Sequence, residues 1–330
     1  MTKKLKLDEK NKGATRVAYG TRLAELGKKY KDIIVCDADL SGSTNTYLFA
    51  EKYPKRFFNF GIAEQNMVSA SAGLASCGKT VFASTFAVFG SGRAYDQVRT
   101  SVCYGQRNVK ICLSHAGIAT GEDGPSHHAT EDIGMMRVLP NMTVLSPADY
   151  YDTYKAVDEV YKKKGPVYLR LGRSSVPSFF NKNHKFKIGK ADYVKKGKDA
   201  TIIATGSPFI HSVNAVNDLE DKGFSVGLIN MSSIKPLDEK TVLSAVKKTP
   251  LLITVEDHQI ATGLGSAVSE FLTQSFTLRE NLMLYRHGLK DFFAEPGSYE
   301  ALYAKYKLDG KGIADEALRA IKLKEKSEDK

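Results

Sequence analysis

Tryptophan is absent from the 330 residues, and cysteine is scarce: Cys36, Cys77, Cys103 and Cys112 are the only four. None stand at CxxC spacing, which argues against a thiolate zinc site, and their scatter argues against a disulfide scaffold. Cys36 and Cys112 sit inside apolar runs, where a reduced core thiol is the ordinary state. A reducing, cytoplasmic compartment is therefore the expectation. No apolar run reaches the roughly 18 residues of a membrane span, and MTKKLKLDEKNKG lacks the apolar stretch of a signal peptide. There is no GxxxxGKS/T, hence no P-loop. Acidic residues are in deficit, 37 against 48 Lys plus Arg, a formal net charge of +11. Nucleic acid, acidic partners or phosphorylated substrates each fit that excess. No recognised reader motif accompanies the charge, so neither nucleic acid nor a membrane is the expected partner.

With 42% hydrophobic residues the chain is a globular one, long enough for two domains. Short apolar runs alternate with helical patterns. DIIVCDA, RFFNFG, TVFASTFAVF, NVKICLSH, TVLSP and PVYLRLG read as strands, with helices from Glu64 to Ala75 and from Ala148 to Lys163 between them. This alternation predicts parallel α/β architecture. The lysine-rich NKNHKFKIGKADYVKKGKD reads as a solvated linker. The pattern then restarts at ATIIATG, SVGLINM and PLLITVED, with helices at ALYAKY and ADEALRAIK and a frayed tail at KLKEKSEDK. The expectation is an α/β protein of two domains with parallel-sheet cores, over residues 13–180 and 199–322, joined by a linker at 181–198.

The loop from His115 to Asp132 holds three histidines, four acidic residues and three glycines. A long polar loop at the carboxyl end of a parallel strand is where α/β proteins bind ligands. His115, Asp123, His127 and His128 match no closed metal site, and imidazoles bonding a polyhydroxylated substrate suit them better. Glu64 in GIAEQNM opens a helix, either as a carboxylate favoured by the positive helix end or as a buried carboxyl that exchanges a proton. Phe86 and Phe89 form either a stacking platform or core. The glycines of GLG, Gly263 to Gly265, follow a strand, but Val268 stands where a dinucleotide motif has its third glycine. A tight turn into a helix is the favoured reading there.

GIAEQNM, STFAVF, HAGIATGEDGPSHH and YLRLGR occur in that order, and together they resemble the C-terminal half of transketolase. The resemblance runs from Thr15 to Ile321. GLKDFFAEPGSYEALYAKY is instead similar to 1-deoxyxylulose-5-phosphate synthase, a mixture that suits a two-subunit transketolase. The resemblance implies a thiamine diphosphate-binding, transketolase pyrimidine-domain fold followed by a transketolase C-terminal-domain fold. It implies ketol transfer between sugar phosphates of the pentose phosphate type. It also implies a separate N-terminal subunit, in a heterotetramer of two plus two. That partner would bind the diphosphate and Mg²⁺, because the GDG motif for both is missing here and no metal ligand is expected on this chain.

Residue by residue, Glu64 matches the acid that hydrogen-bonds the aminopyrimidine. Phe89, Phe86 and Asp39 match its other cofactor contacts. His115 and His127 match catalytic groups of the substrate channel, and Asp123 a further substrate contact. Arg16, Ser43 and Arg173 match the sugar-phosphate clamp, with Ser41 and Arg170 as competing positions. Gly92 stands where single-chain enzymes often carry a third aromatic. The beta subunit of a 2-oxo acid dehydrogenase would lack both the clamp and the GEDGPSH loop. A deoxyxylulose-phosphate-synthase-like enzyme is separated less well.

Overall fold

The computed structural model describes residues 4–274 and 281–328. In chain order its strands are β1 (Asp8–Gly13), β2 (Ile33–Asp37), β3 (Phe57–Asn59), β4 (Thr80–Phe86), β5 (Val109–Ser114), β6 (Thr143–Leu145), β7 (Val167–Arg170), β8 (Val176–Ser178), β9 (Asp192–Lys195), β10 (Ala200–Ala204), β11 (Val226–Asn230), β12 (Ser233–Lys235), β13 (Leu251–Gln259) and β14 (Met283–Leu289). The first sheet has the order β12-β6-β7-β5-β4-β2-β3, the second β14-β13-β10-β11-β9, and β1 pairs with β8 in a short ribbon. Within the first sheet every pairing from β6 to β3 is parallel. The architecture is α/β with two parallel-sheet cores, as the alternating pattern predicts.

The first sheet is buried on both faces, which is what parallel strands require. Along β2, Ile33 and Val35 join Tyr19, Leu23 and Phe49 on one side. Ile34 and Cys36 meet Met67, Val68 and Ala72 on the other. Alternate residues of an extended chain point to opposite faces, so an unbroken apolar run serves both. Helices Thr15–Lys29 and Tyr150–Lys162 cover the first face and helix Glu64–Ser76 the second. Burying each large apolar side chain contributes about 1.5–3 kcal/mol. No helix among the described residues is long and apolar enough to cross a membrane.

Two expectations are corrected. The segment at 181–198 is not a solvated linker. Phe186 and Ile188 pack on the first core, His184 Nε2 meets Asp152 Oδ1 at 3.0 Å, and β9 pairs antiparallel with β11. β9 lies at the sheet edge, where its one lysine, Lys195, pairs with Glu220. The tail at 322–330 is not frayed throughout, because the last helix continues to Glu328; the two residues after it lie outside the described residues. β12 is a strand that the sequence pattern does not announce. It pairs antiparallel with β6, and its Lys235 Nζ donates to the carbonyls of Arg137 and Leu139 at 2.8 and 2.6 Å. Three residues from the second half of the chain thus complete the first sheet.

Beneath that junction lies a buried ionic centre. Arg170 donates to Asp132 from Nε at 2.7 Å and Nη2 at 3.2 Å. Nη2 also meets the carbonyls of Ala129 and Asp257 at 3.2 and 2.9 Å. Tyr168 donates its hydroxyl to Asp132. Burial alone would raise the Asp132 pKa, but the Arg170 and His258 charges hold it below its ordinary value. His258 Nε2 accepts the backbone N–H groups of Ile133 and Gly134 at 3.1 and 3.4 Å. Burial pushes this imidazole down to about 4.

Asp132→Ala is expected to destabilise the fold by about 3–5 kcal/mol, because Arg170 would be left as an uncompensated buried charge. The sign of the pH dependence follows from the lowered pKa. The stabilisation is complete above the unfolded value of about 3.9 and is lost as pH falls through the lower folded value. Denaturant unfolding of both proteins at pH 7 and pH 3 checks this, with the difference shrinking at the acid end.

Candidate active site

The carboxyl ends of β2, β4, β5 and β7 lie along one edge of the first sheet, the usual ligand edge of an open parallel sheet. Phe86 ends β4, and its ring stacks on His115 at a centroid distance of 3.8 Å. Phe89 lies parallel to Phe86 at 5.9 Å and 15°. His127 stands edge-on to both, at 6.1 and 5.4 Å. The two phenylalanines therefore form one wall with two imidazoles rather than core alone.

Glu64 begins helix Glu64–Ser76 and is 1% exposed. Its Oε1 accepts from Arg93 Nη1 at 2.8 Å, while Oε2 is buried with no hydrogen-bond partner. The Arg93 guanidinium lies over the Phe89 ring, 4.7 Å from its centroid. Arg93 thus joins Glu64 and Phe89, which stand on separate elements.

Next to this wall the site is cationic. Arg16, in the first turn of helix Thr15–Lys29, donates to the carbonyls of Ser43 at 2.6 Å and Arg173 at 3.3 Å. Arg173 donates to the Thr120 carbonyl. Among the described residues neither arginine has a carboxylate partner, which is unusual for half-buried guanidinium groups and suits an anion. Burial, then the charges of Arg16, Arg173 and His127, push His115 down to about 3, so its imidazole is neutral at any working pH.

The loop that carries these groups is held from below by the second domain. Asp257, at the end of β13, accepts the Ile118 N–H at 3.0 Å and the Tyr303 hydroxyl at 2.9 Å. Gly117 takes φ 77°, and a Cβ there would stand 2.0 Å from Asp257 Oδ2. Only glycine fits both the left-handed backbone and that approach. Thr120 Oγ1 donates to the His115 carbonyl at 2.7 Å, and His128 Nε2 lies 2.9 Å from the Gly121 carbonyl.

Arg16, Glu64, Phe86, Phe89, His115, His127 and Arg173 are therefore brought together. Arg170 is not available as an alternative to Arg173, since its guanidinium is buried against Asp132. Ser43 takes part through its carbonyl, and both Ser41 and Ser43 are half-buried. Asp39 is exposed, with φ 64°, and accepts from Asn59 Nδ2 at 3.3 Å. Asp123 is exposed on the loop rim. The loop's histidines and Asp123 do not gather as metal ligands. Among the described residues the cluster with that potential is Asp152, His184 and Asp192, elsewhere in the fold. The GLG turn holds the chain's own Glu256, whose oxygens accept from Leu264 and Gly265 N–H at 2.7 and 2.8 Å. That carboxylate fills the helix end a phosphate would need. Sequence reasoning does not single out Arg93 or Asp257. Each is an ordinary charged residue in sequence, and only contacts distant along the chain mark it.

Comparison with known proteins agrees with this geometry. Residues 11–178 match the transketolase pyrimidine-binding domain and residues 189–313 the transketolase C-terminal domain. A transketolase C-terminal section of Methanocaldococcus jannaschii is 44% identical over 93% of this chain and 96% of its own length. One of the subunits of an apulose-4-phosphate transketolase from Phocaeicola vulgatus is 38% identical over 94% of this chain and 98% of its own. A solved structure described as a split-gene transketolase, inactive beta4 tetramer, superposes with a TM-score of 0.84 at 42% identity, covering 94% of this chain and 99% of that one. With both domains present and matched along their length by C-terminal sections of split enzymes, the chain belongs to the transketolase family as a C-terminal subunit of the two-chain form.

Proposed function

We propose that this chain supplies the pyrimidine-side half of a thiamine diphosphate-dependent transketolase, which moves a two-carbon ketol unit from a ketose phosphate donor to an aldose acceptor. The observation that carries the reading is one run of neighbouring side chains: Arg93 joins the buried Glu64 carboxyl to the Phe89 face, Phe86 and Phe89 meet His115 and His127, and Arg16 and Arg173, without carboxylate partners among the described residues, stand near His115. The residues present fit the pyrimidine of the cofactor. Glu64 Oε2 is a buried acceptor with no partner, and a flat ring stacks naturally on Phe89. When bound, the cofactor supplies an electron sink for carbon–carbon cleavage.

The chain's own residues supply the surroundings. Glu64 holds a proton at a ring nitrogen, Phe89 and Phe86 fix the ring plane, and Asp39 stands at the mouth. His115, as a neutral imidazole, and His127 hydrogen-bond the sugar hydroxyls, His127 passing protons, and Asp123 meets the substrate from the rim. Arg16, Ser43 and Arg173 hold the phosphate far from the reacting carbon, so remote binding energy goes into positioning. The apulose-4-phosphate relative supports a phosphorylated sugar as substrate. The sequence carries no diphosphate motif, so an N-terminal subunit is assigned the diphosphate and Mg²⁺, in a cytoplasmic assembly of two plus two. The inactive state named for the related beta4 tetramer supports that division.

Three outcomes test this. The chain alone is expected to show no ketol transfer, and mixing it with its N-terminal subunit, Mg²⁺ and thiamine diphosphate to restore it; turnover of xylulose 5-phosphate by the chain alone would overturn the split reading. In the complex, Glu64→Gln should lower kcat by roughly 10²–10⁴-fold, the range for a general acid–base group, with an unchanged melting temperature. Arg173→Ala should lower kcat/KM for phosphorylated sugars by roughly 10–100-fold while sparing glycolaldehyde, since a bond to a charged group contributes about 1.5–3 kcal/mol. Arg170→Ala should lose folding stability instead, for both substrate classes alike.

A further inference from the structure

Arg93 touches both groups that line the pyrimidine seat. Its Nη1 donates to Glu64 Oε1 at 2.8 Å, and its planar head lies 4.7 Å above the Phe89 centroid. A guanidinium is a flat cation with an apolar face and donors around its edge. A flat aminopyrimidine offers the same pattern, a face for Phe89 and an edge for Glu64. Both cannot lie on that face of Phe89 together, although Arg93 bonds only Oε1 of the carboxyl and leaves Oε2 unmet.

The local backbone sets this side chain at the solvent edge of the seat. Phe89–Arg93 forms a π-turn, in which the Ala94 N–H reaches back to the Phe89 carbonyl at 3.2 Å. Such a turn carries one residue more than an α-helical one and is frequent at functional sites. It sets Arg93 over Phe89. The adjoining Gly92 has open space where a Cβ would stand. The Arg93 side chain is 50% exposed while that of Glu64 is 1% exposed, so the cation can swing into solvent and the carboxyl cannot follow.

We propose that Arg93 is a displaceable placeholder for the aminopyrimidine: it closes the seat in the chain by itself and must swing out before the ring can stack on Phe89 and bond Glu64. The proposal rests on the reading of this pocket as a pyrimidine seat. It gives the buried Glu64 a cation while no ring is bound, which removing one partner of a buried pair would otherwise leave uncompensated. It also makes ring binding a competition. A ligand that binds only the open state has its affinity reduced by the fraction open.

The test uses the full chain and the free pyrimidine 4-amino-5-hydroxymethyl-2-methylpyrimidine, titrated by calorimetry or NMR. Arg93→Met should bind the ring about tenfold more tightly than the unaltered chain, the gain when the open state is populated about one tenth of the time. Arg93→Lys keeps the charge but has no flat face, and its affinity should fall between the two. In the unaltered chain the Arg93 guanidinium N–H signals should shift and exchange faster with water as the ring is titrated in, because the bond to Glu64 Oε1 opens. Equal or weaker binding by folded Arg93→Met overturns the placeholder. So do Arg93 signals that stay unchanged while the ring binds the unaltered chain, a measurement that needs no variant to fold. Failure of the wider reading looks different: the ring then binds none of the proteins, or binds them all regardless of Phe89→Ala, and both ideas fall together.

Discussion

The arrangement depends on one buried cation. Arg170 ends β7 within the first sheet, yet its guanidinium is shared between Asp132, at the start of the helix after the histidine loop, and the backbone of β13 in the second domain. Such a charge cannot remain in the interior unless its fork is filled. The loop carbonyl of Ala129, the Asp132 carboxylate and the Asp257 carbonyl are therefore held in one relation. Docking of the second domain is part of the same constraint, reinforced where β12 crosses to close the first sheet. The long loop from His115 to Asp132 is pinned at its far end by Arg170 and near its start by Asp257.

A second consequence concerns charge in the site. Three residues beyond the end of β7 stands Arg173, which faces the opposite situation: half-buried and, among the described residues, without a carboxylate. Arg16 shares that state across the sheet edge. Two cations close to each other are unfavourable in the isolated chain: burial first, and then the Arg173 charge, lower the Arg16 pKa. An anion placed there would relieve the repulsion, which is the physical basis of the proposed phosphate clamp. Beside Phe89 the Glu64 carboxyl is paired with Arg93 through Oε1 and keeps Oε2 unmet. The proposed ligand, with a phosphate at one end and a reacting carbon near a basic ring at the other, accords with these neighbouring groups.

Much of the fold is legible in the sequence because its signals are local. The runs in β2, β4, β5 and β7 are apolar at every position, since both faces are covered, and that pattern reads directly as buried parallel strands. β14 gives no such signal, because MLYRHGL mixes tyrosine and charge with its apolar residues and stands near a sheet edge. β9 reads as linker for a related reason: it is a four-residue edge strand, DYVK, set among lysine-rich flanks, and the Glu220 that pairs its Lys195 is distant in sequence. The motifs around Glu64, His115 and His127 mark them as candidates, whereas the choice between Arg170 and Arg173 has no such mark. Both occur within LRLGR, and nothing in those five letters says which one meets a carboxylate.

The sequence by itself determined the layers, the alternation of elements along the chain, the polar loop at a strand end and the family resemblance that these motifs carry. Each is written in neighbouring residues, where periodicity and spacing act. The tertiary structure alone decided that Arg170 is structural, that Asp257 reaches across from the second domain to hold the loop at Gly117, and that Arg93 lies between Glu64 and Phe89. Those assignments depend on partners far away in the chain, the Arg170–Asp257 pair being 87 residues apart. A charge of this kind has no local signature. Its role is set by which opposite or empty surface the fold brings against it.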